Sequence, residues 1–540
     1  MRFLESTKRI SIFLFLLGFL LYLPSFGNQF VWDDEQFIVE NELVQNLESW
    51  PTYFTSNTIA GAGFASNYYR PLTTLSFAID HALWGYNPLF FHFTNTFLHA
   101  GASVLLLLCL LEILALIQPY TSKHVQRLLA LIPSLIFLIH PVQVEAVIYM
   151  NSRGDSLSAF FGFFALYTFL LLKKSKSDNL SIGLSVASVA FTTCAVLAKE
   201  TSFVVIGLML LTLLFHKSLS KIVTIAIQSI LFLLYFFLRL TLFQFQDLSE
   251  FWQTQLYGKS LLVRLASFVF YALPEYLKAY FLPFQLHMEH PDTVVSHISV
   301  LEPWQIAAMA AFFLYSVWIV RNLNKYKIAA FGLAWFFITI FPFVGIIPLN
   351  AIMYEHWLYL PMVGLTLALF GTIAPYMKNF LRYKKFILGF GIVSIVALSG
   401  LTIRQMLLWK TPFTLYPYML QFVESSRMRT NLGMAYAERG AFTQAIEQYE
   451  RSIAFSDTYP QTHHNLANAY VELKDFEKAE QEYMRALELD SSFIFSIAKL
   501  IQLGEQTQNN ELIQTWSAYG LRYHPNVEYF QKMNARTATE

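Results

Sequence analysis

Phe93 to Ile117 reads FTNTFLHAGASVLLLLCLLEILALI, and Glu112 is the only Asp, Glu, Lys or Arg in it. At about 1.5 Å of rise per residue, a helix of this length crosses a hydrocarbon layer of ~30 Å. Comparable apolar stretches recur near 10–26, 128–147, 155–172, 180–197, 201–215, 222–243, 304–320, 328–347, 357–376 and 385–403. The composition agrees: the chain has 540 residues, 55% hydrophobic and 14% charged, whereas soluble domains carry roughly 25% charged residues. After Glu424 the apolar runs stop and charge returns. The sequence therefore predicts an all-α protein with a polytopic membrane bundle over 1–405, about 11 spans, and a small water-soluble domain over 424–527.

The first stretch follows Lys8-Arg9 and lacks a small-x-small cleavage site around Leu23 to Gly27, so it reads as an uncleaved helix. With the N-terminus inside, one set of loops collects Lys123, Arg127, Lys173, Lys174, Lys176, Lys217, Lys221, Arg321, Lys325, Lys327, Lys378, Arg382, Lys384 and Lys385. The first opposite loop, 27–92, holds a single lysine or arginine, Arg70. By the positive-inside rule that loop is external. The stretch from Leu261 to Leu286 contains Arg264, Pro274, Glu275, Lys278 and Pro283, too many for hydrocarbon. It reads as an interfacial or re-entrant helix within an external loop at 244–303, which puts the tail outside as well. The expected location is a bacterial inner membrane, with first loop and tail on the periplasmic side. Cys109 and Cys194 both lie in apolar segments and form no CxxC pair, so they read as packing residues. The net charge of +1 and the lack of a basic patch give no footing for nucleic acid.

The tail repeats itself. Asn431-Leu432-Gly433 with Tyr436 recurs as Asn465-Leu466-Ala467 with Tyr470, and Phe442, Ala445 and Tyr449 recur as Phe476, Ala479 and Tyr483, always 34 residues on. That is the period of a tetratricopeptide repeat, a helix pair with small residues at the close approach and aromatics in the gaps. Two repeats are clear, and a degenerate third starts near 494. Such a stack forms a groove for a peptide or partner protein, or a folded cap.

Ionisable residues gather on the predicted external side. Asp33-Asp34-Glu35 opens the first loop; three adjacent carboxylates repel, which raises at least one pKa and suits a base that takes a proton from a hydroxyl. Tyr69-Arg70 follows, arginine being suited to grip phosphate. His92, Asn95 and His99 share one helical face at i, i+3 and i+7, as the wall of a wet cavity would. His140 and Glu145 precede Arg153 and Asp155; Lys199-Glu200 and Tyr354-Glu355-His356 mark two further turns. Ionisable residues at membrane depth mark substrate paths. The acidic triplet with His92 or His99 has donor types for a divalent metal, although no ligand spacing demands one. No Gly-rich phosphate loop is present.

In this order and with this tail, the chain resembles the transmembrane and tetratricopeptide-repeat O-mannosyltransferases and their bacterial relatives in the GT-C glycosyltransferase superfamily. The resemblance rests on Phe30-Val31-Trp32-Asp33-Asp34, Tyr69-Arg70-Pro71-Leu72-Thr73, Asn87-Pro88, Phe91-His92, Leu98-His99-Ala100, His140-Pro141, Glu145-Ala146-Val147, Ser152-Arg153-Gly154-Asp155, Lys199-Glu200 and Leu358-Tyr359-Leu360-Pro361. It implies a GT-C type bundle and an inverting transfer of a sugar such as mannose from a polyprenyl-phosphate donor to a hydroxyl, usually Ser or Thr of a protein. It also implies Asp33, with Asp34 second, as catalytic carboxylate, and Arg70, Arg153 and Lys199 at the donor phosphate. Glu35, Tyr69, His92, His99, His140, Glu145, Asp155, Glu200, Tyr354, Glu355 and His356 would line the site. The relatives carry long repeat arrays; two clear repeats here leave a glycan or lipid acceptor open. The rival readings are an O-antigen-ligase-like oligosaccharide transferase and a membrane-anchored repeat scaffold without enzymatic activity.

Overall fold

The computed structural model describes residues 6–63, 66–119, 121–174, 177–241, 260–290, 301–349, 351–376 and 384–539. Lys176, Lys378, Arg382 and the stretches 242–259 and 291–300 of the loop expected at 244–303 lie outside the described residues. The chain forms two compact units, Met1–Thr411 and Pro412–Glu540, and no strand occurs among the described residues.

Each of the eleven apolar stretches is mainly helical over its described residues. Seven helices are long and apolar enough to cross a membrane, or eight if the bent pair Lys123–Ile139 and Pro141–Ile148 is one span. Glu200–Leu213, Lys327–Phe343 and Pro361–Tyr376 are shorter apolar helices. The chain is thus an all-α membrane protein with a repeat tail.

Two expected boundaries change. The helix of the opening stretch starts at Pro88, because Asn87 accepts the Leu89 N–H and proline is preorganised for the first turn. His92 therefore lies inside the helix. The stretch 128–147 is not continuous: it bends by 55° at His140-Pro141. Proline disfavours helical backbone in the residue before it, and His140 is extended (ψ 133°). The bend delivers Glu145 sideways into the bundle. The first loop is more ordered than its composition suggests, with helices at Glu42–Gln45, Trp50–Tyr53 and Pro71–Trp84. The helix expected over 261–286 runs from Leu261 to Phe281 with a π turn at Phe268–Ala272.

Pro88–Ile117 and Met150–Lys174 form the centre, with 67% and 72% of their apolar windows buried by protein. Leu219–Thr241, Pro303–Arg321 and Leu388–Leu408 form a rim, with 22%, 11% and 17% buried. An apolar helix left uncovered by protein is what lipid contact requires. Lys327–Ile340 and Pro361–Ile373 meet backbone to backbone. A Cβ on Gly332, Gly364 or Gly371 would collide with main-chain atoms of the facing helix. Small residues at such crossings replace the hydrophobic drive that lipid removes.

In the tail the paired helices start at Ser426 and Phe442, Pro460 and Phe476, and Ile494 and Asn510, and Glu528–Thr539 closes the stack. The degenerate third repeat is a complete pair. Tyr449 and Tyr483 are buried against Gly433 and the alanines, as the pattern predicts. The turn inside each pair needs one left-handed residue: Gly440 (φ 72°), Lys474 (φ 62°) and Gln508 (φ 55°), again 34 apart.

Two outcomes follow. Gly364→Leu should abolish the monodisperse peak of the detergent-solubilised protein or lower its melting temperature by several degrees, since overpacking costs about 1–3 kcal/mol; an unchanged profile would refute the close crossing. In the 412–540 unit, Lys474→Gly should gain and Gly440→Ala should lose about 1 kcal/mol, read by thermal unfolding.

Candidate active site

The described residues of the first loop fold onto one end of the helix bundle. That end gathers the start of Pro88–Ile117, the end of Lys123–Ile139, the start of Arg153–Leu171, the end of Asp178–Ala198 and the end of Leu219–Thr241. Alternating helix direction brings these termini together. The contacts below tie them into one ionic layer.

Its anchor is Arg153, fully buried. The guanidinium pairs with Asp80 at 2.6 Å, donates through Nε to Asn95 Oδ1 at 2.6 Å, and reaches the carbonyls of Phe91 (3.1 Å) and Ser76 (3.2 Å). It lies over the Phe77 ring at 4.4 Å. Thr94 donates to the other Asp80 oxygen at 2.9 Å. Asn95 in turn donates to the Val147 carbonyl at 3.0 Å. Asp80 was not among the predicted site residues. The signal available was that Asp80 is the one acid in Pro71–Trp84, and a buried acid needs a cation.

Asp34 is equally buried. Its Oδ2 accepts the Val31 N–H at 3.0 Å and its Oδ1 the Asn151 N–H at 2.9 Å. Burial pushes its carboxyl up to about 8; the two N–H donors oppose this, and Asp33 and Glu35 add to it. The Asp34 N–H donates back to the Val31 carbonyl at 3.2 Å, closing a turn that holds Trp32 at φ 61°. A bulky residue in that region is a costly conformation that packing must enforce. Asp33 and Glu35 flank this clasp and are partly exposed.

The cationic residues are paired. Arg70 makes a bidentate contact to Glu200, 3.1 and 3.0 Å, and lies over the Tyr68 ring at 4.7 Å. Lys199 Nζ is 2.7 Å from both Asp155 oxygens. The strands of contact converge here: Thr73 donates to the Ala198 carbonyl at 2.8 Å, and a Cβ on Gly154 would lie 3.7 Å from Lys199 Cβ. Tyr69 donates to the Phe54 carbonyl at 3.0 Å, with its ring 5.9 Å from that of Tyr235.

A second acidic group stands around the bend. His356 donates its main-chain N–H to Glu145 at 3.0 Å, and its Nδ1 lies 2.8 Å from the same carboxyl; Tyr354 stacks on the ring at 5.1 Å. Glu355 accepts the His287 N–H at 2.6 Å, and burial, with Glu145 beside it, holds its carboxyl well above the ordinary range. His287 was not read from the sequence, since it lies in a loop with no pattern of its own. His140 stacks on Tyr280 and meets its carbonyl at 3.0 Å.

His92, Asn95 and His99 face protein. His99 bridges Tyr359 Oη (2.7 Å) and the Leu138 carbonyl (3.2 Å), and all three are buried. They form a polar seam between helices instead of the expected wet wall. Among the described residues no group of three or more His, Cys, Asp or Glu side chains is set to hold a metal ion.

An all-α bundle with a paired ionic layer at one end and a repeat tail defines the class. The tail matches the families described as TPR repeat, over 433–474, and tetratricopeptide repeat, over 460–493. Beyond the tail, the chain is similar to Protein O-mannosyl-transferase TMTC4 of Homo sapiens, 25% identical over 492 residues, covering 79% of this chain and 64% of that protein. The mouse TMTC4 protein is 24% identical over 80% of this chain and 64% of its own length. Protein O-mannosyl-transferase TMTC1 of Mus musculus is 32% identical over 216 residues, 37% of this chain and 21% of that protein. The match therefore spans less than two thirds of these relatives. A solved structure, the APC/C hetero-tetramer Cut9-Hcn1, has 12% identity, covers 84% of this chain and 95% of its own, and has a TM-score of 0.22, too low to bear on the fold. The resemblance to the transmembrane tetratricopeptide-repeat O-mannosyltransferases is borne out by these named relatives.

Asp80→Asn should cost about 3–5 kcal/mol by leaving the buried Arg153 charge uncompensated. Joint replacement of both partners by apolar residues should cost less, read as melting temperature in detergent; equal losses would remove Asp80 from the anchor.

Proposed function

We propose that the chain transfers a sugar, mannose by analogy with the names of its relatives, from a polyprenyl-phosphate donor to a Ser or Thr hydroxyl of a protein at the external face. One observation carries this reading. The Asp34 clasp, bonded to Asn151 two residues before Arg153, fixes a strained turn that leaves the adjacent Asp33 partly exposed. A carboxylate base beside cations is what a phosphate-leaving displacement at a sugar carbon needs.

In this mechanism the acceptor oxygen attacks the anomeric carbon as Asp33 takes its proton. The bond from that carbon to the phosphate oxygen breaks, and its electron pair leaves with the polyprenyl phosphate. A single displacement inverts the centre. Arg70 and Lys199 balance the phosphate charge. Arg153 acts one layer deeper, holding the first-loop helix and Asn95. In the tail, a cavity of about 360 Å³ lined by Asn465, Asn468, Glu472, Tyr483, Lys499 and Gln502 has the amide and charged groups to hold an acceptor segment. The external placement rests on the charge asymmetry of the loops.

The test is transfer from a mannose-loaded polyprenyl phosphate to a Ser/Thr acceptor by the purified chain. Asp33→Asn should lower the rate 10²–10⁴-fold, the range of a general base; retention of the wild-type rate would remove Asp33 from the role. The pH profile separates the two carboxyls. Asp34 keeps in the folded chain a proton that the unfolded chain releases near 3.8, so its contribution to stability is full below 3.8 and is lost as pH rises through about 8. With Asp33 as base, activity declines through pH 8 as the clasp ionises. A rise through pH 8 would make Asp34 the base. No transfer from any polyprenyl phosphate would return the chain to the scaffold reading.

A further inference from the structure

Leu219–Thr241 packs on Asp178–Ala198 through a polar face. Thr224 donates to Ser185 Oγ at 2.9 Å, and Gln228 donates to Ser188 Oγ at 3.0 Å and Thr192 Oγ1 at 2.9 Å. Lys221 lies one turn before Thr224 on the same face, at the end of the bundle opposite the ionic layer. It is the exception in this row. Lys221 is fully buried, and among the described residues its Nζ makes no hydrogen bond. The ammonium lies 5.2 Å from the centre of the Phe169 ring, which is a weak substitute for a counter-charge. A lysine at the end of a membrane helix usually extends its head toward water. Lys221 is turned inward instead.

The surroundings add positive charge. Lys173 stands within electrostatic reach of Lys221, and both act on His216. The described acids at this end are Glu112, which pairs with Lys174 at 2.6 Å, and Asp178, which is exposed and makes no contact with the Lys221 Nζ. The undescribed residues at this end hold Arg2, Lys176, Lys378 and Arg382 against a single acid, Glu5. A buried cation among cations calls for an anion. Lys221 also stands in the first turn of its helix, where side chains tilt toward the helix start and the helix dipole favours negative charge. Around it Leu180, Ile182, Leu219, Ile222 and Val223 are exposed. An anionic group carried on hydrocarbon matches that combination, whereas a free ion uses only the charged part of it.

We propose that Lys221, with Lys173 and the first turn of Leu219–Thr241, binds the phosphate of an anionic phospholipid, whose acyl chains lie along the exposed faces of Asp178–Ala198 and Leu219–Thr241. The ammonium swings from the Phe169 ring onto the phosphate oxygens, a movement that its flexible four-carbon stem permits. The bound phosphate supplies the counter-charge that the protein does not, and Lys173 adds a second cation from the end of Met150–Lys174. One lipid then ties the starts of two rim helices to a central one. This site lies at the other end of the bundle from the transfer chemistry and does not depend on that reading.

The full chain, delipidated in detergent, is titrated with phosphatidylglycerol, phosphatidylcholine or inorganic phosphate and read by native mass spectrometry and melting temperature. Wild-type protein should bind phosphatidylglycerol about tenfold or more tightly than phosphatidylcholine, the worth of a charge-assisted hydrogen bond. Lys221→Met, similar in length and uncharged, should lose that preference. Its lipid-free melting temperature should equal or exceed that of the wild type, because an uncompensated buried charge has been removed. Lys221→Arg should keep the preference. Lys325→Ala, which removes an exposed cation elsewhere at the same end, should leave binding unchanged. An undiminished preference in Lys221→Met would overturn the proposal, and a lower lipid-free melting temperature beside it would make Lys221 a packing residue on Phe169. An equal loss in Lys325→Ala would overturn it by making the whole basic end the binder. Stabilisation by inorganic phosphate as large as that by phosphatidylglycerol would overturn the lipid assignment.

Discussion

A guanidinium with no exposed surface has to find all its partners within the protein, and Arg153 sets this requirement at the centre of the bundle. Its five N–H groups draw on Asp80, Ser76, Phe91 and Asn95. These come from Pro71–Trp84 and the first turns of Pro88–Ile117, so one side chain pins the first loop to two central helices. Asp34 with Asn151, Arg70 with Glu200 and Thr73 with Ala198 add further ties between the loop and the bundle. Asp34 bonds Asn151, two residues before Arg153, and Thr73, on the helix that carries Asp80, bonds the Ala198 carbonyl.

The bundle uses two devices to keep carboxyls at this depth. Asp80, Asp155 and Glu200 are matched by Arg153, Lys199 and Arg70. Asp34 and Glu355 make no ion pair among the described residues; burial raises both carboxyls, and each accepts main-chain N–H donors instead. The division follows helix geometry. Ion pairs form where two helices meet side by side, whereas Asp34 and Glu355 sit in turns, where backbone N–H groups point inward.

Much of this was legible beforehand, for physical reasons that differ by feature. Apolar length marks helices directly: all eleven stretches are mainly helical over their described residues, and seven helices, or eight with the bent pair, are long enough to cross a membrane. The repeat period marks the tail, because a 34-residue unit must return to the same packing position; the left-handed turn at Lys474 and Gln508 obeys it even where glycine is lost. The ionisable residues were recognisable as a group by their position at helix ends. Their pairing was not, since Arg70 with Glu200 or Arg153 with Asp80 joins residues that no local spacing relates. His92, Asn95 and His99 were assigned to one face correctly in register, but register alone does not say whether that face meets water or another helix. The break at His140-Pro141 was hidden by an uninterrupted apolar run, although proline in that position supplied the reason for it.

The uneven burial of the helices has a consequence of its own. Pro303–Arg321 finds protein around only 11% of its apolar window, so most of its van der Waals neighbours are acyl chains. Its tilt and depth are then shared properties of the chain and the bilayer, whereas the crossing of Lys327–Ile340 with Pro361–Ile373 is set by backbone-to-backbone packing at its glycines. The rim takes its shape from the thickness and order of the lipid that surrounds it.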